Sequence, residues 1–215
     1  MECSQCKTRC NEIGICFNPA CSRNTSYKLN TYIKQLENSK ESLEECIGLI
    51  LSLLKPLKGT IFLTGIGKSA HIVRKNVATW QSLGISAHTL LVQDMFHGDM
   101  GILKNGDVIL YITNSGNTDE LLTVSKYIKE NFSVMQICIS NNPSAKLASF
   151  VDYSFNICNF KIKEADTLNI APSVSCVIFM TLLDIIGIHL AELNEITRED
   201  FQRNHPGEDL SLIHI

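Results

Sequence analysis

Five short, nearly continuous apolar runs punctuate the chain and constrain its fold more than any other feature. They are Thr60–Thr64, His88–Val92, Asp107–Thr113, Val134–Ser140 and Tyr153–Ile157. Strand-length runs without polar alternation mark strands covered on both faces, as in parallel sheets. Segments with helical spacing lie between them: Ser69–Leu83, Thr118–Asn131 and the short Pro143–Phe150. Strands alternating with helices predict βαβ units with right-handed crossovers. The expected fold is α/β: a three-layer αβα sandwich around a five-stranded parallel sheet.

Helical spacing also precedes the first run. Leu29, Ile33, Leu36, Leu43, Cys46, Ile47, Ile50 and Leu54 recur mostly every three or four residues, which predicts one or two amphipathic helices stopped by Pro56. A long apolar helix is expected from about Pro172 to Leu193. Its length would cross a membrane, but Asp184, His189, Ser175 and Thr181 dilute it, so a buried helix and no membrane contact are expected. A short helix should follow Thr197, with Thr197 as N-cap and Asp200 at the third helical position. The net charge of −3 gives no reason to expect nucleic acid or an anionic membrane as a partner. The N-terminus has no apolar core segment, so no secretory signal is expected and the setting is read as cytoplasmic.

Two strand-to-helix turns carry the strongest chemical signal. One is Gly65-Ile66-Gly67-Lys68-Ser69 and the other is Thr113-Asn114-Ser115-Gly116-Asn117-Thr118. Each places small or hydroxylated residues where unpaired amides and the helix dipole favour an anion. Both lie at the carboxyl ends of strands, where open parallel sheets hold ligands. The first is not a nucleotide P-loop, because no glycine stands five residues before its Gly-Lys-Ser. Polar side chains that suit proton transfer accompany the turns: Lys68, His97, Glu120, Glu164 and His205. Singly, each has an ordinary surface or turn explanation.

Residues 1–25 form a separate, cysteine-rich segment, and residues 26–215 the main domain. Cys3-x2-Cys6 and Cys16-x4-Cys21 have knuckle spacings that suit one structural zinc ion, with Cys10 as a substitute ligand. The alternative is an unstructured tail of reduced thiols. No catalytic metal or other cofactor is expected.

At these residues the chain resembles the sugar isomerase (SIS) domain family. It is most similar to the bacterial arabinose-5-phosphate isomerases of Kdo biosynthesis, without their C-terminal regulatory domain pair. The resemblance runs from about Leu43 to Leu210. It rests on the first glycine turn, on His97-Gly98-Asp99-Met100-Gly101, on Asn114 to Leu121, on Lys163-Glu164-Ala165, on Ala171-Pro172 and on His205-Pro206-Gly207. The family usually has Glu at position 117 and Gly at position 208, where this chain has Asn and Glu.

The resemblance implies a sugar-phosphate ligand and an enediol isomerisation. Ser69, Ser115 and Thr118 would hold the phosphate on a loop shaped by Thr113, Asn114 and Gly116. Glu120 and His205 would be the leading acid–base residues, with Lys68, His97 and Glu164 completing the pocket. It further implies a homotetramer or dimer in which the terminal histidine reaches a neighbouring subunit. A non-catalytic sugar-phosphate sensor and another SIS isomerase, for phosphoheptose or hexulose phosphate, remain open alternatives. The retained acid–base set favours an enzyme.

Overall fold

The structure is a computed structural model, which describes residues 3–207 except 5, 9, 12–14, 17, 19 and 23. The chain opens into α1 (Thr25–Leu54), a single helix of 30 residues rather than two. Then come β1 (Ile61–Thr64), α2 (Lys68–Ser82), β2 (Ala87–Thr89) and the one-turn α3 (Val92–Met95). These are followed by β3 (Val108–Thr113), α4 (Asp119–Asn131), β4 (Met135–Ser140), β5 (Tyr153–Asn156), α5 (Val174–Leu193) and α6 (Arg198–Asn204). The five strands form one all-parallel sheet in the order β2-β1-β3-β4-β5. The expected five-stranded αβα architecture is present.

Alternation along the strands divides the core into two layers. Ile61, Leu63, Leu110, Ile112, Ile137 and Ile139 point to one face, where they meet α1, α2 and α5. Phe62, Ile109, Tyr111 and Cys138 point to the other, against α4 and the α3 region. Both faces are apolar, which is why the strands read as continuous runs and not as an alternating pattern. The apolar α5 lies in this core, packed on α1 and α2 with half its length buried. It is long and apolar enough to cross a membrane by composition alone, so its packing explains a sequence signal that has two readings.

Two expected elements differ from those observed. The second strand ends at Thr89, although Leu90 still donates to Leu63 O at 3.0 Å. Beyond it, the buried Val92 and Met95 stand three apart, a helical interval, and the chain turns into α3. The helix expected over Pro143–Phe150 shrinks to a 3₁₀ turn, Lys146–Ser149. Its first half is held instead by Asn142, whose Oδ1 accepts from Ser144 N and whose Nδ2 donates to Ser115 O at 2.7 Å. The short helix after Thr197 is as expected: Thr197 and Asp200 form a reciprocal capping box.

Trp80 locks α2 to α5. Its ring is fully buried, its Nε1 donates to Leu183 O at 3.0 Å, and Gly187 makes room for it. A Cβ at position 187 would lie 2.3 Å from Trp80 Nε1. Trp80→Ala should therefore cost about 3–5 kcal/mol, read as a lower urea midpoint at unchanged m-value. Trp80→Phe, which keeps most of the packing, should lose about 1 kcal/mol with the hydrogen bond.

Candidate functional site

The strand order reverses direction between β1 and β3, and both glycine turns sit at this switch point. β1 and β3 pair in register, with Leu63 opposite Leu110 and Thr64 opposite Tyr111, so their carboxyl ends are side by side. Gly65 of the first turn packs against the end of β3. A Cβ on Gly65 would lie 2.8 Å from Ile112 O, so this position tolerates only glycine.

The second turn is built by its own side chains. Thr113 Oγ1 accepts from Gly116 N at 3.1 Å, and Ser115 Oγ accepts from Asn117 N at 3.2 Å. Gly116 has φ of 64°, and a Cβ there would sit 2.3 Å from Ala145 Cβ. Backbone conformation and close packing thus both require glycine at this position. Asn117 Oδ1 accepts from Lys146 N at 2.9 Å, so the residue that departs from the family pattern braces the turn against the segment after β4.

The helix N-termini differ in how they are closed, and the N-cap residues of α2, α3, α4 and α5 make no side-chain cap. α1 is capped by Asn24 and α6 by Thr197. Neither Gly67 before α2 nor Thr118 before α4 makes a side-chain cap. The two helix N-termini that follow the glycine turns therefore present amides and positive dipole ends toward the switch point.

Glu164 has a different local role. It is 8% exposed and its carboxylate sits at the N-terminus of α5. Oε2 accepts from the backbone N–H groups of Ser173 at 2.9 Å, Val174 at 2.7 Å and Ser175 at 3.3 Å, and from Ser173 Oγ at 3.0 Å. Oε1 accepts from Ser175 Oγ. A buried carboxylate is thus satisfied by a helix terminus, at the wall of a cleft of about 710 Å³. Asn114 and Ser115 of the second turn line the same cleft. Lys68 and Glu164 share an electrostatic neighbourhood: burial pushes the Cys176 thiol up, Glu164 adds to that rise and Lys68 opposes it.

Glu120 and His97 meet in a second cavity, of about 390 Å³, together with Ile66 from the first turn. Both are exposed, and Glu120 stands in the first turn of α4 directly after the second glycine turn. Ser69 lies in the first turn of α2 beside Lys68.

His205 is not brought to this group. Its ring stacks on Phe201 at 4.1 Å and its Nδ1 lies 2.8 Å from Phe201 O. The neighbouring Asn204 donates to Ser82 O, at the far end of α2 from Lys68. Fifteen helical residues separate the two ends, about 22 Å.

Three asparagines that carry no motif in the sequence also line the larger cleft: Asn141, Asn142 and Asn156, just past β4 and at the end of β5. The Oδ1 atoms of Asn141 and Asn156 are buried and accept no hydrogen bond within the protein. Their place at the carboxyl ends of strands was the available signal.

Asp166 organises the loop between Glu164 and α5, accepting from Leu168 N, Ile170 N and Ala171 N. Those backbone bonds, that of Ala171 foremost, hold its carboxyl below the ordinary 3.8. A depressed value contributes order above the ordinary pKa that disappears as pH falls through the folded one. Protection of the Leu168, Ile170 and Ala171 amides, measured against their intrinsic exchange rates, should therefore fall at pH below 3.8, and Asp166→Asn should show that lower protection already at neutral pH.

An all-parallel sheet with two glycine turns side by side at its switch point defines an open α/β fold of the kind that holds ligands at the carboxyl ends of its strands. The family model "SIS domain" matches residues 54–186, and the chain belongs to the SIS domain family. It is 36% identical over 155 residues to arabinose 5-phosphate isomerase KdsD of Pseudomonas aeruginosa, covering 72% of this chain and 47% of that protein. It is 34% identical over 161 residues to arabinose 5-phosphate isomerase KpsF of Escherichia coli, covering 75% and 50%. The chain spans about half the length of the curated relatives it matches. Among solved structures it is similar to the c3406 protein of E. coli CFT073 in complex with arabinose 5-phosphate. That match has a TM-score of 0.72 and 30% identity, and covers 85% of this chain and all of that one.

Proposed function

We propose that the protein is an aldose–ketose isomerase that interconverts D-arabinose 5-phosphate and D-ribulose 5-phosphate. The observation that carries this reading is the side-by-side placement of the two glycine turns at the carboxyl ends of β1 and β3, with Glu120 in the first turn of the helix that follows the second. The relatives named arabinose 5-phosphate isomerase support the choice of sugar.

In this reading the first-turn amides of α4 and the hydroxyls of Ser69, Ser115 and Thr118 bind the phosphate. Binding energy from that unreactive group positions the carbon chain. Glu120 removes the C2 proton of the open-chain aldose. The C–H electrons form the C1–C2 double bond of a cis-enediolate, and charge moves to the carbonyl oxygen. The C2 hydroxyl passes its proton to O1, giving the C1 hydroxyl, while C2–O becomes the ketone and the proton held by Glu120 returns at C1. His97 shares the cavity of Glu120 and suits ring opening or hydroxyl proton transfer, because an imidazole offers both a donor and an acceptor nitrogen. Lys68 stabilises the enediolate charge. Glu164 is already engaged by five donors, so we assign it to holding the mouth of α5 against the cleft and not to proton transfer. His205 enters the site from a second copy of the chain, which makes the working form a homodimer or homotetramer.

The direct test is turnover followed by NMR on ribulose 5-phosphate, on a panel of aldose phosphates and on the unphosphorylated sugars. Interconversion of the phosphorylated pentoses, with the unphosphorylated sugars inert, is the expected result. Tight binding without turnover on every member of the panel would make the protein a sugar-phosphate sensor.

A further inference from the structure

The N-terminal cysteines take no part in this chemistry, and the fold gathers four of them at one point. The Sγ atoms of Cys3, Cys6, Cys16 and Cys21 all lie within 4.8 Å of one another. The Cys3–Cys21 separation is 3.5 Å and the Cys6–Cys16 separation 3.2 Å. A tetrahedral ion with zinc–sulfur bonds of about 2.3 Å sets its sulfurs about 3.8 Å apart, so the four atoms outline the corners of such a site. All nine cysteines of the chain are thiols, with none in a disulfide.

The backbone around the sulfurs is shaped for a metal. Cys3 and Cys6 lie on one tight turn, closed by Lys7 N to Cys3 O and Cys3 N to Thr8 O, both 2.7 Å. Lys7 adopts a φ of 52°, the left-handed conformation that folds the chain back beneath the second cysteine. On the other arm, Asn18 N donates to Cys16 Sγ at 3.4 Å, a bond that stabilises charge on sulfur.

The segment also needs a staple. Among its described residues, the buried apolar side chains are Cys3, Cys10, Cys16 and Cys21, a cluster separate from the two main core layers. Sulfur alone buries too little surface to order so short a segment, and metal binding supplies folding energy in such cases.

We propose that Cys3, Cys6, Cys16 and Cys21 bind one structural Zn²⁺. The ion fixes the start of α1 through Asn24, whose Nδ2 donates to Cys16 O at 2.7 Å while its Oδ1 accepts from Tyr27 N at 3.2 Å. From there the brace reaches the cleft. Lys163, next to Glu164, donates through its Nζ to Tyr27 Oη at 2.7 Å and through its backbone N–H to Gln35 Oε1 at 2.9 Å. Cys10 is outside the ligand set.

The test is metal analysis of the full chain, purified without chelator from zinc-supplemented medium. One equivalent of zinc per chain is expected, with zinc-edge absorption spectra fitting four sulfurs at about 2.3 Å. Cys6→Ser should lose the metal, whereas Cys10→Ser and the core variant Cys138→Ser should keep it. Circular dichroism reports whether each variant remains folded. Should Cys6→Ser fail to fold, cobalt titration of the reduced native protein decides instead, through the visible bands of a tetrahedral thiolate complex. The proposal is overturned by zinc below about a tenth of an equivalent together with no cobalt spectrum. It is equally overturned if the native protein holds Cys3–Cys21 and Cys6–Cys16 disulfides in place of metal.

Discussion

Glu120→Gln is expected to lower kcat for ribulose 5-phosphate by about 10²–10⁴-fold while leaving its affinity for the sugar phosphate within a few-fold of the native value. Gln has nearly the same shape as Glu and retains hydrogen bonding, but it cannot accept a proton at neutral pH. The phosphate-binding groups are hydroxyls and backbone amides around the starts of α2 and α4, and the substitution alters none of them. Calorimetry of ligand binding beside steady-state rates separates the two effects. A drop in affinity with kcat unchanged would remove Glu120 from proton transfer and leave it a binding residue.

His205 gives the second large effect, through the geometry of the assembly. Its neighbour Asn204 bonds Ser82 O at the far end of α2, a helix about 22 Å long that begins at Lys68, so His205 is not placed beside its own chain's site. His205→Ala should therefore be nearly inactive, as Glu120→Gln is, and an equimolar mixture of the two should recover activity. In the proposed assembly each site would draw its glutamate from one copy and its histidine from another. Random exchange then restores both native residues in about a quarter of sites. The measurement is activity after the two inactive variants are dissociated and reassembled together. If the mixture stays as inactive as its components, His205 does not act across a subunit boundary.

Most of the fold is legible in the sequence because both core layers are lined by uninterrupted apolar strands, and that pattern survives in one dimension. The capping pair Thr197 and Asp200 is equally local, and the structure keeps it. The second strand reads a few residues too long because the apolar run Leu90–Val92 continues across the point where strand becomes helix. The candidate site is legible where it is sequential. The two glycine turns and Glu120 lie on short stretches whose spacing carries their chemistry. It is not legible where tertiary packing decides. Nothing near Glu164 announces that five donors from Ser173, Val174 and Ser175 converge on it. Asn141 and Asn156 carry no motif, and only their place at the ends of β4 and β5 points to the cleft they share. Both features depend on how the end of the sheet meets α5.

Incubation with ribulose 5-phosphate in deuterated water tests the central claim most directly. Proton abstraction by a carboxylate through an enediolate predicts an aldopentose phosphate that carries deuterium at C2, formed by the native protein and not by Glu120→Gln. Prolonged incubation that yields no aldose, or an aldose with only protium at C2, would contradict the account.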